Sequence, residues 1–177
     1  LTSSKENLEY KAYFYQMKKH QISCELHEYS ASELKGEQQT LLEQAHTICG
    51  DAYAPYSKFK VGTTLILENK QKVSGSNQEN VAYPSGMCAE RVAIFHAGAN
   101  FPEKKIERMA IVAHANFDLS QPVMPCGACR QAMIEYEQRQ GSSIEILLQG
   151  NEGNIFISKS VANLLPYAFQ CDELKKG

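Results

Sequence analysis

Apolar positions recur along the chain with two different periods, and these periods predict helices and strands in alternation. Leu41, Leu42, Ala45 and Ile48 lie at helical spacing, and this predicted helix ends at Gly50 because glycine commonly follows the last helical turn. Helical spacing also covers about residues 87–99, residues 126–139 and the short segment SVANLLP, which stops at Pro166.

Five segments have the length and composition of strands. They are FKVGTTLIL, QKVSGSN, IERMAIVAH, SIEILLQ and NIFIS, and the turn-rich stretch GNEGN joins the last two. Helices therefore alternate with strands from Gly36 onward. This order favours a three-layer α/β/α sandwich around a mixed five-stranded sheet. It does not give the order of the strands within that sheet.

The first 35 residues have a different pattern from the remainder of the chain. Apolar residues alternate with polar neighbours in two stretches: Leu8, Tyr10, Ala12 and Phe14, then Ile22, Cys24 and Leu26. A period of two predicts short strands, such as a hairpin added to a sheet edge. We therefore divide the chain into an N-terminal extension, residues 1–35, and a main domain, residues 36–177.

Composition narrows the classes of partner. Eighteen basic and 20 acidic side chains give a net charge of -2, so nothing electrostatic favours nucleic acid or an anionic membrane. No apolar run approaches the roughly 20 residues that cross a bilayer. The N-terminal residues also lack the apolar stretch of a signal peptide. We expect the six cysteines to be reduced thiols in a cytoplasmic protein.

Three cysteines stand at predicted helix starts. Cys126 and Cys129 follow Pro125, a residue preferred at the first helical position, and Cys88 also begins a helix. The positive end of a helix dipole favours a thiolate. Two helix N-termini that meet would collect three thiolates, which suits zinc. Three protein ligands leave the fourth position for water, as in catalytic zinc sites.

Glu90 and Arg91 follow the first of these cysteines, Cys88. A carboxylate beside a zinc site can take a proton from water, and this predicts the role of Glu90. Three thiolates give the zinc centre a net negative charge, which makes a bound water a poorer acid. Arg91 would offset that charge by hydrogen bonding to a thiolate, and Arg130 is a second candidate.

Other interpretations of the cysteines remain open at this point. Two cysteines three apart also occur in redox motifs and in structural zinc sites, although a thioredoxin-like motif normally follows the first strand of a βαβ unit. A closed structural site would need a fourth ligand, for which the candidates are Cys49, Cys171, His46 and His114. Cys24, Cys49 and Cys171 also suit small buried side chains.

Four motifs, in this order along residues 36–177, resemble the cytidine deaminases, specifically the small homotetrameric type. They are YAPYSKFKVG, SNQENVAYPSGMCAER, PCGACRQ and LLPYAF. The resemblance implies a catalytic domain with one Zn²⁺ per chain, held by Cys88, Cys126 and Cys129, and with Glu90 as the non-ligand acid and base. It implies a hydrolase of pyrimidine salvage that converts cytidine or deoxycytidine to uridine or deoxyuridine and ammonia.

The resemblance also implies a nucleoside pocket. Asn77 and Glu79 would bind the ribose hydroxyls, and Glu79 would repel a phosphate, which favours a nucleoside over a nucleotide. Phe59 would pack on the pyrimidine, and the backbone N–H of Ala89 would meet its O2 atom. Without the resemblance, the pattern of SNQEN predicts only a polar turn, and Phe59 is interpreted as an aromatic residue of the core.

The expected oligomeric state rests on two further aromatic residues. Tyr83 and Phe169 resemble family residues that line the pocket of a neighbouring subunit, and for this reason we expect a homotetramer. After Phe169 the chain reads QCDEL, where relatives often have a Gly-Pro turn.

Three alternatives to cytidine deamination would each explain part of the predicted site. A deaminase of another aminopyrimidine, such as a blasticidin-type nucleoside antibiotic, would share the zinc site, and the pair Asn77 and Glu79 favours cytidine over it. A polynucleotide editor would need a basic or aromatic channel for the strand. A non-catalytic zinc scaffold would not need Glu90 as a proton shuttle.

Overall fold

The computed structural model describes residues 18–119, 121–170 and 174. The described helices are α1 (Glu37–Gly50), α2 (Ala89–Asn100) and α3 (Gly127–Gln140), with short 3-10 helices at Tyr83–Ser85 and Ala162–Leu164. The strands are β1 (His27–Tyr29), β2 (Lys60–Leu67), β3 (Lys72–Ser76), β4 (Ile106–His114), β5 (Glu145–Gln149) and β6 (Ile155–Ser158). Each helix and strand predicted after Gly36 is present, and the last predicted helix is a single 3-10 turn.

The six strands form one mixed sheet in the order β1-β6-β5-β4-β2-β3. Strands β4 and β5 are parallel, and the other neighbouring pairs are antiparallel. The predicted α/β fold is thereby confirmed with one strand more than the predicted five. The additional strand, β1, comes from the N-terminal extension.

Strand β1 begins later in the extension than the alternation predicted. It pairs with Ile155–Ile157 of β6 at the sheet edge, whereas residues 22–26 form no strand, so the prediction for that stretch was wrong. The physical reason is that the backbone of Glu25 is hydrogen-bonded to a side chain and not to a strand. Its N–H donates to the Asn163 side-chain amide, and its carbonyl accepts from the same amide. The alternating residues from Leu8 to Phe14 lie outside the described residues.

The sheet is covered on both faces, which gives the three predicted layers. Leu65 and Leu67 of β2 pack with residues of α2 and α3, while Ile66 between them packs with α1. Strand β4 alternates in the same way, with Ile111 in the first core and Val112 in the second. Strands buried on both faces need apolar residues at successive positions, which explains the nearly continuous apolar run IERMAIVAH.

Helix α2 lies directly on the edge strand β3. A Cβ atom at Gly75 would stand 2.7 Å from the Ala93 nitrogen and 2.9 Å from the Ala89 oxygen, so only glycine permits this approach. The first turn of α2 is thereby fixed against the sheet, and the chemistry of the site depends on that turn. None of the helices in the described residues combines the length and apolar character needed to cross a bilayer.

Candidate active site

The three cysteines predicted at helix starts come together in space. Cys88 is the residue that caps α2, Cys126 caps α3, and Cys129 lies in the first turn of α3. Their sulfur atoms all lie within 4.8 Å of one another. Pro125 ends the preceding loop, and both capping residues have extended backbone conformations, so each chain segment turns into its helix at a sulfur ligand.

This donor set fits a single zinc ion. Zn–S bonds of about 2.3 Å in a tetrahedral site separate the sulfurs by roughly 3.8 Å, which is compatible with sulfur atoms that all lie within 4.8 Å of one another. Hydrogen bonding from Cys129 and the Arg91 guanidinium lower the pKa of Cys88 to about 5 against the opposing effect of burial. A thiolate is therefore already available, as zinc binding requires.

The candidate fourth protein ligands that the structure describes lie elsewhere. His46 and His114 hydrogen-bond to each other at 2.9 Å, and His46 bonds to Gln149 at 2.7 Å. Cys49 is buried in the core between α1 and the sheet. The group of three thiols therefore gains no ligand from these residues, whereas Cys171 lies outside the described residues.

The two arginines considered for charge compensation have different partners. Arg91 donates from Nη2 to Cys88 Sγ at 3.5 Å. Arg130 instead donates from Nε to the Pro125 carbonyl at 2.7 Å and from Nη1 to the Leu164 carbonyl at 2.9 Å. Arg91 is thus the residue whose positive charge lies against a sulfur, while Arg130 holds backbone on either side of α3.

Glu90 is a buried carboxyl group beside the thiols. It lies in the first turn of α2 and its relative exposure is 4%. Burial raises the pKa of Glu90 above its usual value, and the negative charge on Cys88 acts in the same direction. A carboxyl group whose pKa is raised towards neutrality can both accept and return a proton, which is what a general acid and base must do.

A cleft of about 680 Å³ opens onto the thiols and Glu90. Its lining includes most of the residues predicted for the site: Phe59, Asn77, Glu79, Tyr83, Cys88, Glu90, Arg91 and Cys126. Ala89 and Cys129 are fully buried and do not line it. Phe169 is also outside the lining, and its relative exposure is 72%.

Asn77 and Glu79 organise the wall of the cleft through backbone groups. The Asn77 side chain accepts from the Val61 N–H at 2.7 Å and donates to the Phe59 carbonyl at 3.0 Å, which fixes the start of β2. Glu79 accepts from the Tyr56 N–H at 2.9 Å and from the hydroxyl of Ser57. The Ser57 hydrogen bond lowers the pKa of Glu79, so this carboxylate is negatively charged at neutral pH.

Comparison with known proteins identifies the family to which this site belongs. Residues 35–141 match the family described as the cytidine and deoxycytidylate deaminase zinc-binding region. The chain belongs to this deaminase family. The cytidine deaminase of Halalkalibacterium halodurans is 36% identical over 138 residues, which are 78% of this chain and 98% of that protein. The cytidine deaminase of Sporosarcina psychrophila is 41% identical over 123 residues, 70% of this chain and 84% of that protein.

A solved structure of a deaminase has the same architecture. The crystal structure of cytidine deaminase from Burkholderia pseudomallei superposes with a TM-score of 0.65 at 36% identity. The match covers 76% of this chain and 100% of that one. The family resemblance predicted from four sequence motifs is confirmed, and with it the zinc-binding deaminase domain.

Several residues of the deaminase cleft were missed by the sequence reasoning. Val123 and Met124 come from the loop before Cys126, whose sequence has no recognisable pattern. Tyr56 lies three residues before Phe59 in the motif YAPYSKFKVG, and this proximity could have predicted that Tyr56 also lines the cleft. The remaining lining residues beyond those predicted are Ser57, Val61, Gln78, Asn80, Gly86, Met87, Ile111 and Ala113.

Proposed function

We propose that this chain is a zinc-dependent hydrolase that deaminates cytidine and deoxycytidine to uridine and deoxyuridine, with release of ammonia, in pyrimidine salvage. The observation that carries the proposal is the buried carboxyl group of Glu90 beside three clustered thiols, in a cleft that Glu90, Cys88 and Cys126 line. A purely structural zinc site has no use for such a carboxyl group. The relatives named cytidine deaminase support the choice of substrate.

Each group of the site has a chemical task in this proposal. Cys88, Cys126 and Cys129 would hold the zinc ion, which would supply a Lewis acid that favours loss of a proton from water at neutral pH. As the water oxygen bonds to C4, Glu90 accepts the first proton of that water and passes it to N3 of the base. Glu90 then takes the second proton from the new C4 hydroxyl and delivers it to the amino group. The C4–N bond breaks, ammonia leaves, and the oxygen remains as the C4 carbonyl of uridine. Arg91 reduces the negative charge on the thiolates and thereby favours loss of a proton from water.

The wall of the cleft suits a nucleoside. A carboxylate has about four acceptor positions, and the hydrogen bonds of Glu79 to Tyr56 and Ser57 leave room for a ribose hydroxyl. Asn77 fixes Phe59 at the cleft, where its ring can pack on the pyrimidine. Ala89 is the first residue of α2, where backbone N–H groups have no partner within the helix, so its N–H can bind O2 of the base.

We further propose that the enzyme acts as a homotetramer in which Tyr83 and Phe169 reach the cleft of a neighbouring chain. Both aromatic side chains are exposed, with relative exposures of 76% and 72%, on a single chain. Large exposed aromatic side chains are expected where another subunit covers them. A native mass four times the chain mass of 19.8 kDa is the expected result in solution.

The proposed catalytic unit is residues 36–177, with residues 1–35 as an addition to it. In support, the Burkholderia pseudomallei enzyme is matched over 100% of its length by 76% of this chain. The five cysteines that the structure describes are free thiols, which supports a reducing, cytoplasmic setting.

The substrate class is tested by product analysis. Zinc-loaded protein is incubated with cytidine, deoxycytidine and cytidine 5′-monophosphate, and the deaminated products are separated by chromatography. We expect both nucleosides to be converted, with far less conversion of the monophosphate because Glu79 repels it. Preferred conversion of the monophosphate, or conversion of neither nucleoside, would contradict the proposal.

A further inference from the structure

The side chain of Gln131, on α3, hydrogen-bonds to both the backbone N–H and the backbone carbonyl of Phe169. Gln131 donates from Nε2 to the Phe169 carbonyl at 3.0 Å, and its Oε1 accepts from the Phe169 N–H at 3.0 Å. The amide thus pairs with Phe169 as a neighbouring strand would. The ring remains largely exposed, so the main chain of Phe169 is fixed while its aromatic ring is left free of its own subunit.

Arg130, the residue before Gln131 on α3, hydrogen-bonds to the chain segment that leads to Phe169. Arg130 donates to the Leu164 carbonyl, five residues before Phe169, and to the Pro125 carbonyl, next to the zinc ligand Cys126. Gln131 itself lies two residues after Cys129. The position of Phe169 is therefore set relative to the helix that carries two of the three thiols.

We propose that Gln131 is a positioning residue that holds Phe169 so that its ring enters the substrate cleft of a second copy of this chain. The inference rests on the proposed function and on the tetramer proposed with it. Without Gln131, the main chain of Phe169 would have to be ordered at each binding event, at a cost in backbone entropy. Gln131 removes that cost in advance, which favours substrate binding.

The expected kinetic effect is on KM. Gln131 makes no contact with the thiols or Glu90 in the described hydrogen bonds, so Gln131→Ala should leave kcat near the parent value. Loss of two exposed hydrogen bonds should raise KM for cytidine about five- to tenfold. Gln131→Glu keeps the acceptor for the Phe169 N–H but sets a carboxylate oxygen against the Phe169 carbonyl oxygen, so its KM should rise at least as far as in Gln131→Ala. Gln39→Ala removes an exposed glutamine from α1 and serves as the matched control.

A double-mutant cycle with Phe169→Ala separates positioning from a general structural role. If Gln131 acts through Phe169, then Gln131→Ala should raise KM little or not at all once Phe169 is alanine. Zinc content and native mass are measured on every variant. Independent, multiplying effects of the two substitutions would overturn the proposal, and so would an unchanged KM in Gln131→Ala.

Mixed oligomers test whether the ring acts between chains. Chains with Glu90→Gln have no working proton shuttle but retain Gln131 and Phe169, so they can complete the cleft of a Gln131→Ala chain. Coassembly of the two variants should restore low-KM turnover in part of the clefts. High KM throughout mixed oligomers would overturn the proposal.

The failure of this inference differs visibly from the failure of the proposed function. A parent protein that does not deaminate cytidine would overturn both. An active parent whose KM is unaffected by Gln131→Ala would overturn the positioning role alone. Hydrogen exchange at the Phe169 amide tests the contact without catalysis. We expect faster exchange in Gln131→Ala, and an unchanged exchange rate would contradict the hydrogen bond between Gln131 and the Phe169 N–H.

Discussion

Glu137 is a buried carboxylate that joins α3 to the segment before β5 and to the 3-10 helix at Ala162–Leu164, and its replacement should destabilise the protein. It lies on α3 with a relative exposure of 8%. Its Oε2 accepts from the N–H groups of Ile144 at 2.8 Å and Val161 at 2.7 Å. Its Oε1 accepts from the N–H of Ala162 at 3.0 Å. One side chain thereby satisfies three backbone donors from two separate segments.

The cost of Glu137→Gln follows from these three bonds. The glutamine carbonyl can take over two of the donors, but its NH₂ group faces the third and leaves that N–H without an acceptor. A buried donor left unpaired costs about 1–3 kcal/mol, and the two retained bonds weaken because hydrogen bonds to a charged group are the stronger kind. After the smaller desolvation cost of a neutral side chain, we expect a loss of about 2–4 kcal/mol.

The assay is urea unfolding of the zinc-loaded protein, followed by circular dichroism. Glu135→Gln makes the same chemical change at an exposed position of the same helix and should stay within about 0.5 kcal/mol of the parent. Zinc content is measured in each variant so that metal loss is not mistaken for the packing effect. A Glu137→Gln protein as stable as the Glu135→Gln protein would show that the three hydrogen bonds of Glu137 do not stabilise the fold.

Three more substitutions test other contacts. Thr63→Val should stabilise the protein by about 1 kcal/mol in urea unfolding, since the buried Thr63 hydroxyl has no partner among the described residues; a loss of stability would contradict this. Burial, His46 and Lys60 lower the pKa of His114, so the folded protein binds fewer protons than the unfolded chain and loses stability as pH falls below about 6.5. His114→Gln should lose less stability than the parent between pH 8 and pH 5.5, and equal losses would exclude this contribution. Arg91→Ala should lower kcat and keep zinc, and an unchanged kcat would remove Arg91 from charge compensation.

Local patterns predicted the elements well because their causes are local. The apolar run of residues 106–114 coincides with β4, and Pro125 with its two cysteines placed the start of α3 within one residue. Strand order did not follow, since it depends on contacts between segments far apart in sequence. The edge strand β1 was misplaced for the same reason: its position is set by β6 and by Asn163 rather than by its own alternation.

The site divides along the same line. Cys88, Glu90 and Arg91 are close in sequence and their relation was visible there, whereas the loop residues Val123 and Met124 reach the cleft only through the fold. The hydrogen bonds between Gln131 and Phe169 span 38 positions, and the sequence carries no local sign of them. Local motifs thus identified the chemistry, and the tertiary contacts showed how its parts are held.

Release of ammonia from cytidine, measured beside the Glu90→Gln variant, tests whether the protein deaminates cytidine with Glu90 as its proton shuttle. Zinc is quantified in both samples, and Glu103→Gln, an exposed change near the end of α2, is the control. We expect equal zinc in all three proteins, with turnover in the parent and the control and almost none in Glu90→Gln. Undiminished turnover in Glu90→Gln, or no turnover in the zinc-loaded parent, would contradict this expectation.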